Sequence, residues 1–193
     1  MLAEFGFSRW GADVVRLAEP LSARVPNPLA PRARSLARNQ GVELTVTGSA
    51  VVGLVSSGAR ASIARLEFAA MSNDSAGTIR ALLGSATEPD DDVHQRARTA
   101  GSGAGPQIAA ADCSCRARGD RCVHVLATLY ALAAAIDHRP ALALELQGFD
   151  RFLAAQSEPE PGSGSGPQPQ PIARWIPLGG LGIGDYWDPP SAG

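Results

Sequence analysis

Lysine is missing from this sequence: all 17 basic residues are arginine. With alanine and glycine abundant, that points to coding bias rather than to a function. Aromatic residues are scarce, at 5% of 193 positions, so a core has to rest on Leu, Val, Ile and Ala. No apolar run is long. The longest, Val125 to Ile136, falls well short of the ~20 residues a membrane span needs. The opening MLAEFGFSRWGADVV has Glu4 where a secretory signal would be basic, and no continuous apolar stretch follows. A cytoplasmic, reducing setting and no membrane association are therefore expected. Paired carboxylates and a Ser/His/Asp set with a supporting pattern are lacking too. The glycine clusters GSGAG and GGLGIG have neither the preceding strand nor the following helix of a phosphate loop. No repeat of solenoid or propeller period occurs. Cysteine occurs only three times, an odd number that a disulfide framework does not explain.

What is present is unevenly distributed. The net charge of −2 conceals +4 over residues 21–68, −4 over the run EPDDD at 88–92, +3 over 93–125 and −3 over 156–193. Such segregation suits an anionic partner or a solvated surface of compensating charges. Between residues 42 and 68, VELTV, VVGLV and ASIARLEF alternate or run apolar, separated by the turns TGSA and SSGA. They read as an antiparallel β-meander. SNDS offers N-cap side chains to a short helix ending at Gly84. Six segments are expected: 1–20, N-terminal; 21–87, meander plus short helix; 88–107, a flexible acidic and Gly-rich connection; 108–155, the cysteine module and following helices; 156–171, a Pro/Gly/Ser linker; and 172–193, an aromatic tail. His94, within DDDVHQ, reads as a solvated loop histidine.

All three cysteines fall within ten positions, as Cys113-x-Cys115-x6-Cys122-x-His124. Cys113 and Cys115 are two apart, so an extended backbone puts both on one face. Arg118, Gly119 and Asp120 can turn the chain and bring Cys122 back. His124 then opens a helix whose stripe is Val125, Leu129, Leu132 and Ile136, stopped at DHRP. Cys₃His is a standard structural zinc set, and structural Zn2+ contributes roughly 10–16 kcal/mol of apparent binding energy to a module too small to close itself. Arg116, Arg118 and Arg121 would offset the net −1 of three thiolates around the dication. The alternatives are a disulfide with one free thiol, which suits this compartment poorly, and a Cys122–His124 nucleophile and base. The second would leave Cys113 and Cys115 without a role.

This pattern resembles the SWIM-type zinc finger, a ββα module. The resemblance extends to FGFSRWGADVVRLAE, which is similar to the N-terminal opening of bacterial SWIM-finger proteins. It continues through RARSLARNQGVELTVTGSAVVGLV and, after the finger, LALELQGFDRFLAA. Val123 stands where a lysine often precedes the histidine in that family. The fold expected is α+β, a small antiparallel meander with short helices plus a zinc-stapled ββα finger. The resemblance implies a non-enzymatic binding role, since such fingers accompany helicase-like remodelling ATPases, transposases and recombination factors. The first functional expectation is a protein-interaction adapter beside such an ATPase, docking through Trp175, Ile176, Tyr186 and Trp187 of the tail. The mildly acidic total and the lack of lysine favour it. The second is direct DNA or RNA binding through Arg32, Arg34, Arg38, Arg116, Arg118 and Arg121. A thiol-based redox protein is the third.

Overall fold

The computed structural model describes residues 5–21, 25–103, 105–115 and 121–157, and these residues belong to one unit. Two helices come first, α1 (Arg9–Ala18) and α2 (Ala30–Arg38). The Ser8 side chain caps α1 by accepting from the Gly11 N–H, and Pro31 stands in the first turn of α2, where its missing N–H does no harm. Three strands follow as expected: β1 (Val42–Thr47), β2 (Ala50–Ser57) and β3 (Arg60–Phe68). Thr47 pairs with Ala50 and Ser57 with Arg60, so both hairpins close through two-residue loops. Helix α3 (Asn73–Leu83) is capped by Ser72, and Gly84 ends it.

Residues 88–107 differ from the expected flexible connection. The acidic run is a helix start: Asp90 caps α4 (Asp91–Thr99) by accepting from the Val93 N–H at 2.8 Å. Carboxylates suit that position because the helix N-terminus carries partial positive charge. The same run docks on α1. The Trp10 indole N–H donates to the Asp90 carbonyl at 3.0 Å, and the Arg9 N–H donates to the Asp91 carboxylate at 2.8 Å. His94 is likewise not a solvated loop residue. Only 2% exposed, it lies edge-on to Trp10 and its Nε2 meets the Asp13 carboxylate at 2.7 Å. Low apolar content concealed this because beside Val93 and Ala97 the buried face of α4 is completed by a polar residue, His94, satisfied by Asp13.

The chain then forms β4 (Ile108–Cys113), which pairs antiparallel with β3 and completes one sheet in the order β1-β2-β3-β4. The sheet thus crosses the boundary expected between meander and finger. Among the described residues the finger contributes one strand, and its partner is the last strand of the meander. Helix α5 (Val123–His138) lies across the sheet with α1 and α2 against it, followed by α6 (Ala141–Glu145) and α7 (Phe149–Ser157). Of the α5 residues, Leu126, Leu129, Tyr130, Leu132, Ala133 and Ile136 are all buried. Helix and sheet approach closely at Gly53, where an added Cβ would come within 2.2 Å of the Thr128 hydroxyl, so a glycine is needed there. Among the described residues no helix is long and apolar enough to cross a membrane. The architecture is α+β: an antiparallel sheet, helices on its inner face, and a Cys/His cluster where strand and helix meet.

Candidate metal centre

The cluster is built by two elements meeting end to end. β4 delivers Cys113, and the pairing continues one residue further: Ser114 donates its N–H to the Ile63 carbonyl at 2.9 Å, while its hydroxyl accepts from the Ile63 N–H at 2.9 Å. With Ser114 held on one face, Cys113 and Cys115 share the other. Cys122 is the N-cap of α5, in extended backbone, and its Sγ accepts from the Val125 N–H at 3.5 Å. His124 follows in the first turn, with its carbonyl accepting from the Thr128 hydroxyl at 3.0 Å. A strand end and a helix cap thus converge from opposite directions on one point.

The four donor atoms lie within 4.8 Å of one another. His124 Nδ1 is 3.8 Å from the Sγ of Cys113 and 3.9 Å from that of Cys122. Zinc–sulfur bonds of about 2.3 Å and zinc–nitrogen bonds of about 2.0 Å on a tetrahedron give S···N edges of about 3.5 Å, close to the two S···N distances, and the set as a whole would close around zinc by contracting by up to about 1 Å. The electrostatics agree. Burial pushes the Cys113 thiol up to about 12; the Cys115 backbone hydrogen bond opposes the rise, and the side chains of Cys115 and Cys122 add to it. Thiolates this crowded need a dication among them. Burial, then the nearby Arg32 guanidinium, holds His124 below its ordinary value, which favours the neutral imidazole a metal requires. The donor set is that of Zn2+, with Cys113, Cys115, Cys122 and His124 holding it and the Val125 N–H bonded to one sulfur.

The arginines divide. Arg32 lies beside the cluster, its guanidinium 3.4 Å from the Ser57 hydroxyl. Arg34 is turned inward, paired with Glu19 and set over the Tyr130 ring at 5.4 Å. Arg38 covers the Phe5 ring at 5.8 Å. These two join α2 to α1 and α5 and do not reach the metal cluster. Arg121 is exposed next to Cys122, whereas Arg116 and Arg118 lie outside the described residues. So do Trp175, Ile176, Tyr186 and Trp187. The sequence reading missed Arg60, Ser57, Ser62 and Ser114, which with Arg32 and His124 line a groove of about 810 Å³ against the cluster. The hairpin register pairs Ser57 with Arg60, but the sequence alone carried no signal that this hairpin end lies beside the cluster.

A closed Cys₃His cluster joining a strand to a helix defines a structural zinc finger domain. The particular family follows from comparison with known proteins: the family model described as the SWIM zinc finger matches residues 93–133, from α4 through β4 into α5. The chain carries a SWIM-type zinc finger. No curated protein and no solved structure matches it.

Proposed function

We propose that this protein is a non-enzymatic, zinc-stapled interaction module that works as an adapter for a protein partner, beside a helicase-like, nucleic-acid-processing ATPase. The observation that carries the non-catalytic part is the closed donor set. Three thiolates and one imidazole would complete a tetrahedral donor set and leave a bound zinc no open position for a water or a substrate, which a catalytic zinc keeps. The metal's task on this reading is to fasten β4 to the start of α5, and thereby the sheet to its central helix.

A protein partner is favoured over a nucleic acid by the use of the arginines. Arg34 and Arg38 serve internal contacts, and Arg16 and Arg98 are paired with Asp13. The tail residues Trp175, Ile176, Tyr186 and Trp187 have the character of interface anchors. Direct DNA or RNA binding is the second reading, favoured by the exposed Arg121 beside the cluster and by Arg32.

Salt dependence separates the two. Direct nucleic-acid binding weakens steeply with salt, log K falling by about 0.9 for every phosphate neutralised on duplex DNA. The adapter reading expects no saturable oligonucleotide binding near physiological salt. It also expects partner capture by the intact protein to be lost on deleting residues 172–193. Saturable oligonucleotide binding with a steep slope, and capture unaffected by the deletion, would sink it.

A further inference from the structure

The groove beside the zinc cluster is walled by Arg32 from the first turn of α2, Arg60 from the start of β3, Ser57 and Ser62 from the same hairpin, and Ser114 and His124 from the finger. Three properties bear on what it could bind. Among the described residues its lining contains no carboxylate. It is open and roomy, at about 810 Å³. And it gathers two guanidinium groups and three hydroxyls, donors that fix a planar anion in orientation as well as charge. The first turns of α2 and α5 lie in its wall, and their partial positive charge adds to the field. Arg60 forms no hydrogen bond or ion pair among the described residues, and Arg32 has only a long contact to Ser57.

We infer that this groove binds the carboxylate of an acidic peptide segment presented by the partner protein. The charge balance selects a local anion over a polymeric one. Among the described lining residues two guanidinium groups contribute +2, and three thiolates with a dication and a neutral imidazole would contribute −1. The small net positive charge suits one carboxylate or a short acidic segment. A phosphate backbone leaving the groove along the outer sheet face would meet the exposed Glu43, Glu67 and Asp112, and the positive charge of Arg65 is opposed there by Asp112 across the strands. A nucleic acid needs a continued basic track; a peptide carboxylate needs only the fork of Arg32 and Arg60. Assigning the anion to a protein rests on the adapter reading, but the groove can be read out independently of it.

The test is a titration of isotope-labelled, zinc-loaded full-length protein with hexaglutamate, using hexaglutamine and a six-nucleotide single-stranded DNA as comparisons. The expected result is movement of the Ser57, Ala61, Ser62 and Ser114 amide signals with hexaglutamate and none with hexaglutamine. Arg60→Gln should weaken binding about tenfold while zinc content stays stoichiometric. Absence of shifts at millimolar hexaglutamate, equal shifts in the Arg60→Gln protein, or tighter DNA binding at the same amides would each overturn the inference. An Arg32→Gln protein that releases zinc but still binds hexaglutamate unchanged would show that this arginine merely balances the thiolates, and would overturn it as well. If wild-type and Arg60→Gln proteins capture a partner equally, the adapter reading stands and the groove assignment falls.

Discussion

The two ends of α5 are held by opposite means. At its start, Cys122 and His124 belong to a cluster of soft donors whose attraction for one another exists only through a metal. At its end, the Asp137 carboxylate accepts from the Gly6 N–H at 2.6 Å, the Phe7 N–H at 3.3 Å, and both the N–H and the hydroxyl of Ser8, at 2.9 and 2.7 Å. That clamp gathers the loop ahead of α1 without any cofactor. The fit leaves no slack: a Cβ on Gly11 would come within 2.1 Å of the Asp137 oxygen, so glycine is required there. Between the two ends the helix is held chiefly by apolar burial, with one polar contact from the Tyr130 hydroxyl to Glu19. The difference teaches that the zinc does not build the domain's core. It closes one end of a helix whose body and other end are secured independently.

Breaking the metal end should give the largest effect. Chelation, or Cys122→Ser, is expected to lower the thermal midpoint by roughly 10 °C or more. Amide exchange should accelerate in residues 108–115 and 121–126, while 129–136 keep most of their protection. Uniform loss of protection along α5 would mean that the metal holds the whole helix and would abolish the contrast between its ends. Unchanged exchange near Cys113 would mean that the cluster holds nothing.

Asp137→Ala tests the other end. It leaves three backbone N–H groups and the Ser8 hydroxyl without their acceptor, and should destabilise the protein by about 3 kcal/mol. Gly11→Ala should act in the same direction by forcing the carboxylate away. Both proteins should still bind one zinc per chain. Zinc lost in parallel with stability would show that the two ends are coupled through the helix.

How much of this could be read from the sequence depended on which kind of interaction was involved. The meander showed itself through alternation, as in Val42, Leu44 and Val46, and the zinc set through ligand identity and spacing, because both signals are local. The pairing of β4 with β3 was not visible: it links residues about fifty apart in the chain, and IAAADC carries no β-branched run to mark a strand. The burial of α4 was hidden for a related reason. Asp13 and His94 each look like surface residues alone, and become core residues only as a pair. Arg60 was overlooked because an arginine at a hairpin end has no meaning until α2 and the finger are placed beside it.

That hidden pair gives a smaller effect, with a defined pH window. Burial by itself would raise the Asp13 carboxyl, but the hydrogen bond and charge of His94, with Arg16 and Arg98, outweigh it and hold the group below its ordinary 3.8. A carboxyl lowered by folding stabilises the native state above its unfolded value, and that contribution disappears as pH falls through the folded value. Between pH 5 and pH 3 the wild-type midpoint should therefore fall more steeply than that of Asp13→Asn, zinc release being common to both. Parallel curves would remove the charge pair as the reason α4 docks on α1.

The smallest effect is expected midway along α5, at Tyr130. Its ring is fully buried, its hydroxyl donates to Glu19, and Arg34 binds the same carboxylate while lying over the ring. Burial, and then Glu19, pushes the hydroxyl up to about 12, so it remains a donor at neutral pH. Tyr130→Phe removes that donor and retains the ring and its packing. Glu19 keeps Arg34 and is partly exposed, so it is not stranded without a partner. The loss should be close to the net worth of one hydrogen bond to a charged group, about 1–2 kcal/mol, with a normal zinc content and no new slope with pH. Denaturant unfolding of the two proteins measures it. A loss as large as that of Asp137→Ala would mean that polar pairing fastens the middle of α5 as firmly as its end, and the division of the helix into pinned ends and an apolar body would have to be given up.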